Sequence, residues 1–145
     1  MQGACLCGAV RIAVSGAYVA AVGACHCRLC RTWSGTSFAG FEASAAAVTV
    51  TGAVTEFRSS PFATRAFCPV CGSHLWLRND GPDSDYEFVP GAFPAAAEFP
   101  LISEIYVDVA ARHARLAGDH ATGTRAAYEA TNPFVANSLT SEGDA

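Results

Sequence analysis

The chain has 145 residues, a formal net charge of −4 and an apolar fraction of 51%, which is enough to bury one core without disulfide staples. All nine basic residues are arginine, so Schiff-base chemistry through a lysine amine is excluded, and an acidic balance with no basic run argues against a nucleic-acid surface. The opening residues MQGACLCGAV carry no charged segment followed by a long apolar stretch, and the longest apolar run, Ala17 to Val22, is too short to cross a bilayer. The expectation is a protein of the cytoplasm, away from membranes.

Val10, Ile12 and Val14 alternate with Arg11 and Ala13 until Ser15-Gly16, the period of a half-buried strand. One helical turn is expected after Cys30, and weaker strands over Ser37 to Glu42, Val54 to Arg58 and Arg65 to Cys68. Leu75 and Leu77 alternate with His74, Trp76 and Arg78, which predicts another clear strand. Tyr86 to Val89 is a weaker candidate inside the segment Gly81 to Pro100, where four of the seven prolines otherwise mark loop. Ile105, Val107 and Val109 alternate with Tyr106 and Asp108 and predict a third clear strand, followed by a short helix near Thr124 to Ala130. The fold class is mostly β, one domain over residues 1–139, with 140–145 expected to be a disordered tail.

Seven cysteines in a chain with no secretion signal favour metal ligation over disulfides, because the cytosol keeps thiols reduced. They fall in three clusters: Cys5-Leu-Cys7-Gly8, Cys25-His-Cys27-Arg-Leu-Cys30 and Cys68-Pro-Val-Cys71-Gly72. A closed zinc site takes four ligands, and a catalytic one takes three plus an exchangeable group. Pairing the outer clusters gives Cys5, Cys7, Cys68 and Cys71 as ligands of a structural zinc. Cys25, Cys27 and Cys30 then remain for a second zinc with an open position. Gly8 and Gly72 follow the last cysteine of each outer cluster, where positive φ lets backbone amides face the sulfurs. The middle cluster has Arg31 there, and its loop is expected to run into a helical turn. In an extended Cys-His-Cys tripeptide His26 points away from the two cysteines, so it is read as a structural or supporting residue. His74, His113 and His120 lack ligand spacing and are read as surface or strand residues.

The ordered motifs CxC, CHCxxCR and RxFCxxCGS, with the flanks Glu56-Phe-Arg-Ser-Ser60 and Arg65-Ala-Phe-Cys68, resemble those of the glutathione-dependent formaldehyde-activating enzyme family, which includes the centromere protein V group. The matching residues run from Gly3 through Leu75, with a fainter match at Glu104 to Val107. The resemblance implies a β-tent (Mss4-like) fold of short antiparallel sheets around zinc. It assigns the outer four cysteines to the structural zinc, and Cys25, Cys27 and Cys30 to the catalytic metal. The implied activity is that of a carbon–sulfur lyase, adding glutathione to formaldehyde to give S-hydroxymethylglutathione.

The fourth position of the second zinc would then take the substrate's own sulfur, since a metal already held by thiolates favours another soft ligand. Arg28 and Arg31 flank the trio and are candidates to pair with glutathione carboxylates; their alternative role is charge compensation. Trp33 and Phe38 are candidate pocket walls or core, and Ser34 to Ser37 a candidate oxyanion contact. Two other readings stay open: an enzyme joining a thiol to a different electrophile, and a non-catalytic zinc module that binds a protein. Whether the chain forms a homodimer is also open.

Overall fold

In the computed structural model, residues 1–135 are described, and the tail expected at 140–145 lies outside them. In chain order the strands are β1 (Gln2–Ala4), β2 (Arg11–Val14), β3 (Val22–Cys25), β4 (Phe38–Ala43), β5 (Val48–Thr51), β6 (Thr55–Ser60), β7 (Ala63–Phe67), β8 (His74–Asn79), β9 (Tyr86–Phe88), β10 (Leu101–Ile105) and β11 (Ala121–Gly123). Two short helices join them, α1 (Arg28–Ser34) and α2 (Arg125–Thr131). No helix among the described residues is long and apolar enough to cross a membrane.

The strands form two sheets. A small one has the order β1-β2-β5, and a large one runs β11-β10-β3-β4-β9-β8-β7-β6. Pairing is antiparallel except where β10 lies parallel to β3 and β11. Alternation works as expected in β2, where Ile12 and Val14 are buried while Arg11 is exposed. The main core gathers Val10 together with Ile12 and Val14 of the small sheet against Phe41, Leu75, Trp76, Phe88 and Phe93, and takes in Cys5 and Cys68. Phe41 meets Phe93 edge to face at 5.1 Å between ring centroids, the geometry an aromatic quadrupole favours. A second, smaller core contains Cys27, Cys30, Phe38, Tyr106 and Val135. Buried cysteines of the outer clusters therefore belong to one core and those of the middle cluster to another.

The alternation at Ile105, Val107 and Val109 does not make a strand over those residues. β10 ends at Ile105, and Tyr106 takes a left-handed conformation with φ 61° that turns the chain into a 3-10 turn at Val107–Val109. Left-handed backbone is rare for an aromatic residue. It holds the Tyr106 ring buried, and its hydroxyl donates to Glu129 of α2 at 3.2 Å. Thr124 caps α2, its side-chain oxygen accepting from the amide of Ala127.

Candidate metal centre and cavity

The structure gathers the cysteines into a group of four and a group of three, with the sulfurs inside each group all within 4.8 Å of one another. Cys5 and Cys7 follow β1, and Cys68 and Cys71 occupy the turn between β7 and β8. Their sulfurs approach to 3.6 Å for Cys5 and Cys7 and 3.9 Å for Cys7 and Cys68. A tetrahedral zinc with bonds of about 2.3 Å places sulfurs roughly 3.8 Å apart, so the donor set fits that ion. Gly8 and Gly72 have φ 74° and 71°. These turns direct the amide of Val10 to Cys5 Sγ at 3.2 Å, and Leu6 donates to the Ser73 hydroxyl between the two knuckles.

The trio is built differently. Cys25 ends β3, Cys27 caps α1 and Cys30 lies inside α1. The amides of Cys27 and Cys30 point at Cys25 Sγ and Cys27 Sγ, each at 3.5 Å. As free thiols these three share their protons. Hydrogen bonds from Cys25 and Cys30 hold Cys27 far down, to about 3, with Arg65 adding to the effect, and the Cys25 thiol that donates to Cys27 is pushed up. One thiolate cradled by two thiols and an arginine is a set that gives up its remaining protons to solvent when a metal binds.

Behind the trio, His26 is fully buried and its Nε2 lies 2.6 Å from Glu104 Oε1. His120, expected at the surface or in a strand, instead sits with its side chain buried against Glu104 Oε2 at 2.8 Å. Burial pushes the Glu104 carboxyl up, but hydrogen bonds with His120 and His26 outweigh it and hold it below its ordinary range. This carboxylate locks the trio's loop onto β10. The sequence spacing carries no sign of the pairing, because Glu104 is 78 residues from His26.

A cavity of about 110 Å³ opens on the trio, with Cys25, Cys27 and Cys30 on one wall and Phe38, Leu77, Arg65 and Glu87 among its other residues. Phe38 is thus a wall, as one reading of the sequence held. Trp33 instead stacks on Phe57 and borders His74 outside this cavity. Arg28 is exposed at the start of α1, and neither Arg28 nor Arg31 is among the residues lining the cavity. Ser34 to Ser37 are also not among them; Ser59 and Ser60 are.

Two residues missed at the level of sequence face this space. Arg65 of β7 is buried and donates from Nη2 to Cys30 Sγ at 3.2 Å. Glu87 of β9 lies opposite Glu42 in the β4 register; burial first, then the Glu42 charge, raises its carboxyl to about 7 against the opposing pull of Arg65. The Arg65-Ala-Phe-Cys68 flank was the available signal for the first. Nothing local marks the second.

A family model described as glutathione-dependent formaldehyde-activating enzyme matches residues 1–108. The chain belongs to this family. An uncharacterized lyase of Schizosaccharomyces pombe is 26% identical over 108 residues, covering 74% of this chain and 78% of that protein. A crystal structure of a Rhodobacter sphaeroides protein superposes with a TM-score of 0.54 at 24% identity, over 70% of this chain and 99% of the other, a likeness of fold. The family match spans all seven cysteines and the Arg65 and Glu87 strands.

Proposed function

We propose that the chain is a zinc-dependent carbon–sulfur lyase-type enzyme that handles adducts of glutathione, condensing glutathione with formaldehyde to S-hydroxymethylglutathione. Family membership and the lyase name of the yeast relative support a glutathione-related lyase. The observation that carries the site is the position of Cys25, Cys27 and Cys30 on a cavity wall, three donors beside an open space. In this reading Cys5, Cys7, Cys68 and Cys71 hold a structural zinc with all four positions filled, and the trio holds the second. Zinc bound by the trio supplies a centre that keeps an exogenous sulfur ligand as thiolate near neutral pH.

The chain's own residues do the rest. The cavity's volume suits a small carbonyl compound, well below that of a buried tripeptide. Phe38, Leu77 and Ile105 give it an apolar lining. Arg28 and Arg31, which line neither this cavity nor its neighbour, are the candidates to pair with the carboxylates of glutathione where it projects past the protein surface. Small thiol and aldehyde are the partners, with no role for nucleic acid or membrane.

Cobalt in place of zinc tests the reading. Added glutathione should change the visible spectrum of one of two metals, and glutathione with labelled formaldehyde should give the hydroxymethyl signal by NMR faster than the uncatalysed control. No spectral response to any thiol at millimolar concentration would overturn it.

A further inference from the structure

Arg65 is 2% exposed, yet only Nη2 has a hydrogen-bond acceptor among the described residues; Nε and Nη1 are buried and unpaired. Guanidinium does not deprotonate in proteins, and a buried donor left without an acceptor costs free energy that folding normally avoids. The rings of Phe38 and Trp33, with centroids 5.5 and 5.8 Å from the guanidinium carbon, cover the charge but offer no oxygen. The space beside Arg65 is the cavity of about 110 Å³, smaller than the roughly 150 Å³ that holds one benzene. A second cavity of about 280 Å³ adjoins it, since Cys25, Phe38, Glu87, Ile105 and Tyr128 line both.

We propose that Arg65 receives the carbonyl oxygen of the small electrophile in the smaller cavity, that Glu87 gives that oxygen its proton, and that the thiol substrate occupies the larger cavity. This deepens the proposed function and rests on it. In the step, the sulfur lone pair forms the C–S bond. The carbonyl π bond breaks, and its electron pair moves to oxygen, where Arg65 N–H groups donate hydrogen bonds to the growing charge. The oxygen takes the carboxyl proton of Glu87, and the proton released when the thiol ionises restores it. One thiol and one carbonyl give one hemithioacetal, with nothing oxidised or reduced. Glu87 lines both cavities and so reaches either reactant. The groups facing it are Glu42 from β4, Arg65 from β7 and Tyr128 from α2, with apolar Leu77 opposite on β8.

Formate, a small anion that mimics the oxyanion, is the probe. By calorimetry the metal-loaded protein should bind formate, and Arg65→Lys should bind it at least tenfold more weakly while keeping its metal content and melting temperature. In turnover, Arg65→Lys should lose on the order of 10²-fold in kcat with the KM for glutathione within threefold of the parent. Glu87→Gln should lose kcat at neutral pH and keep formate binding. Full activity in Arg65→Lys, a loss confined to glutathione KM, or loss of the trio's metal in that variant would each overturn the proposal, the last two by making Arg65 a carboxylate holder or a counter-ion. Formate binding that depends on Arg65 in a protein with no thiol–aldehyde turnover would sink the proposed reaction while leaving the oxygen-binding role of Arg65 standing.

Discussion

Cys5, Cys7, Cys68 and Cys71 tie the small sheet to the turn between β7 and β8, joining residues 61 apart in the chain, whereas Cys25, Cys27 and Cys30 close a loop of a few residues between β3 and α1. Cys5 and Cys68 of the first group sit in the main core among residues of both sheets, while Cys7 is exposed. The second sits in the smaller core and looks into a cavity. One group of thiols thus joins distant segments, and the other lines an open space. Metal held across distant segments is folding free energy, about 10–16 kcal/mol in small zinc domains, comparable with a whole domain's stability of about 5–15 kcal/mol. Metal held by a local loop adds little to the connectivity of the fold.

The sharpest way to break the contrast is to remove one ligand from each group. Cys68→Ser should give insoluble protein or protein with no cooperative melting transition. Cys27→Ser should stay folded, because serine keeps the cap that Cys27 makes with the Cys30 amide, and should bind one metal fewer with no activity. Circular dichroism and elemental analysis read both. Equal loss of folding would make the trio structural too.

A smaller effect is expected at the buried carboxylate behind the trio. Glu104→Gln leaves His26 and His120 facing an amide in place of a charge, and breaking such a buried set costs about 3 kcal/mol. The variant should surrender one metal to a chelator faster than the parent and keep the other at the parental rate. Parallel loss of both metals would show that Glu104 supports the whole fold and not the trio's loop.

How much of this contrast the sequence displays depends on the range of the interaction. The clusters are legible because CxC and CxxC spacings are local, and the glycines after them announce their own turns. β2 is legible because two-residue alternation is local as well; β8 is a strand as expected, but Trp76 is buried beside Leu75 and Leu77 is only half-buried, so its burial does not alternate. β3 is not, since Val22-Gly-Ala-Cys25 is short, contains glycine and owes its place to β4 and β10 on either side. The alternation past Ile105 misleads because Tyr106 accepts a left-handed backbone to bury its ring, a tertiary gain that overrides a local pattern. Arg65 and Glu87 reach one cavity from different strands, β7 and β9, and only the strand order brings them to the same space.

Glu87 also makes the cavity side measurable through pH. Its carboxyl rises from 4.5 to about 7 in the folded protein, so the folded state keeps a proton that the unfolded state gives up, and stability falls as pH climbs through that interval. The cost is complete above it, on the order of 3 kcal/mol. Glu87→Gln should therefore flatten the fall in melting temperature between pH 4.5 and about 7 and be the more stable protein at pH 8. Parallel curves for the two proteins would place the buried proton on another group.

The smallest effect separates the two routes by which a peptide thiol can reach the trio. Arg28 is exposed, Arg31 is half-buried with its Nε unpaired among the described residues, and neither is among the lining residues of either cavity. An exposed charge pair is worth about 0.2–1 kcal/mol and is screened by salt. Arg28→Ala should accordingly weaken glutathione by less than about fivefold, the equivalent of that range, and leave mercaptoethanol unaffected because it has no carboxylate. Arg31→Ala, with less solvent around its guanidinium, should cost more. The difference between the two thiols should vanish at high salt for Arg28. A loss of tenfold or more from Arg28→Ala would mean that the peptide lies along α1 and not in the larger cavity between β3, β4 and β10, and would move the substrate to the outer face of the trio.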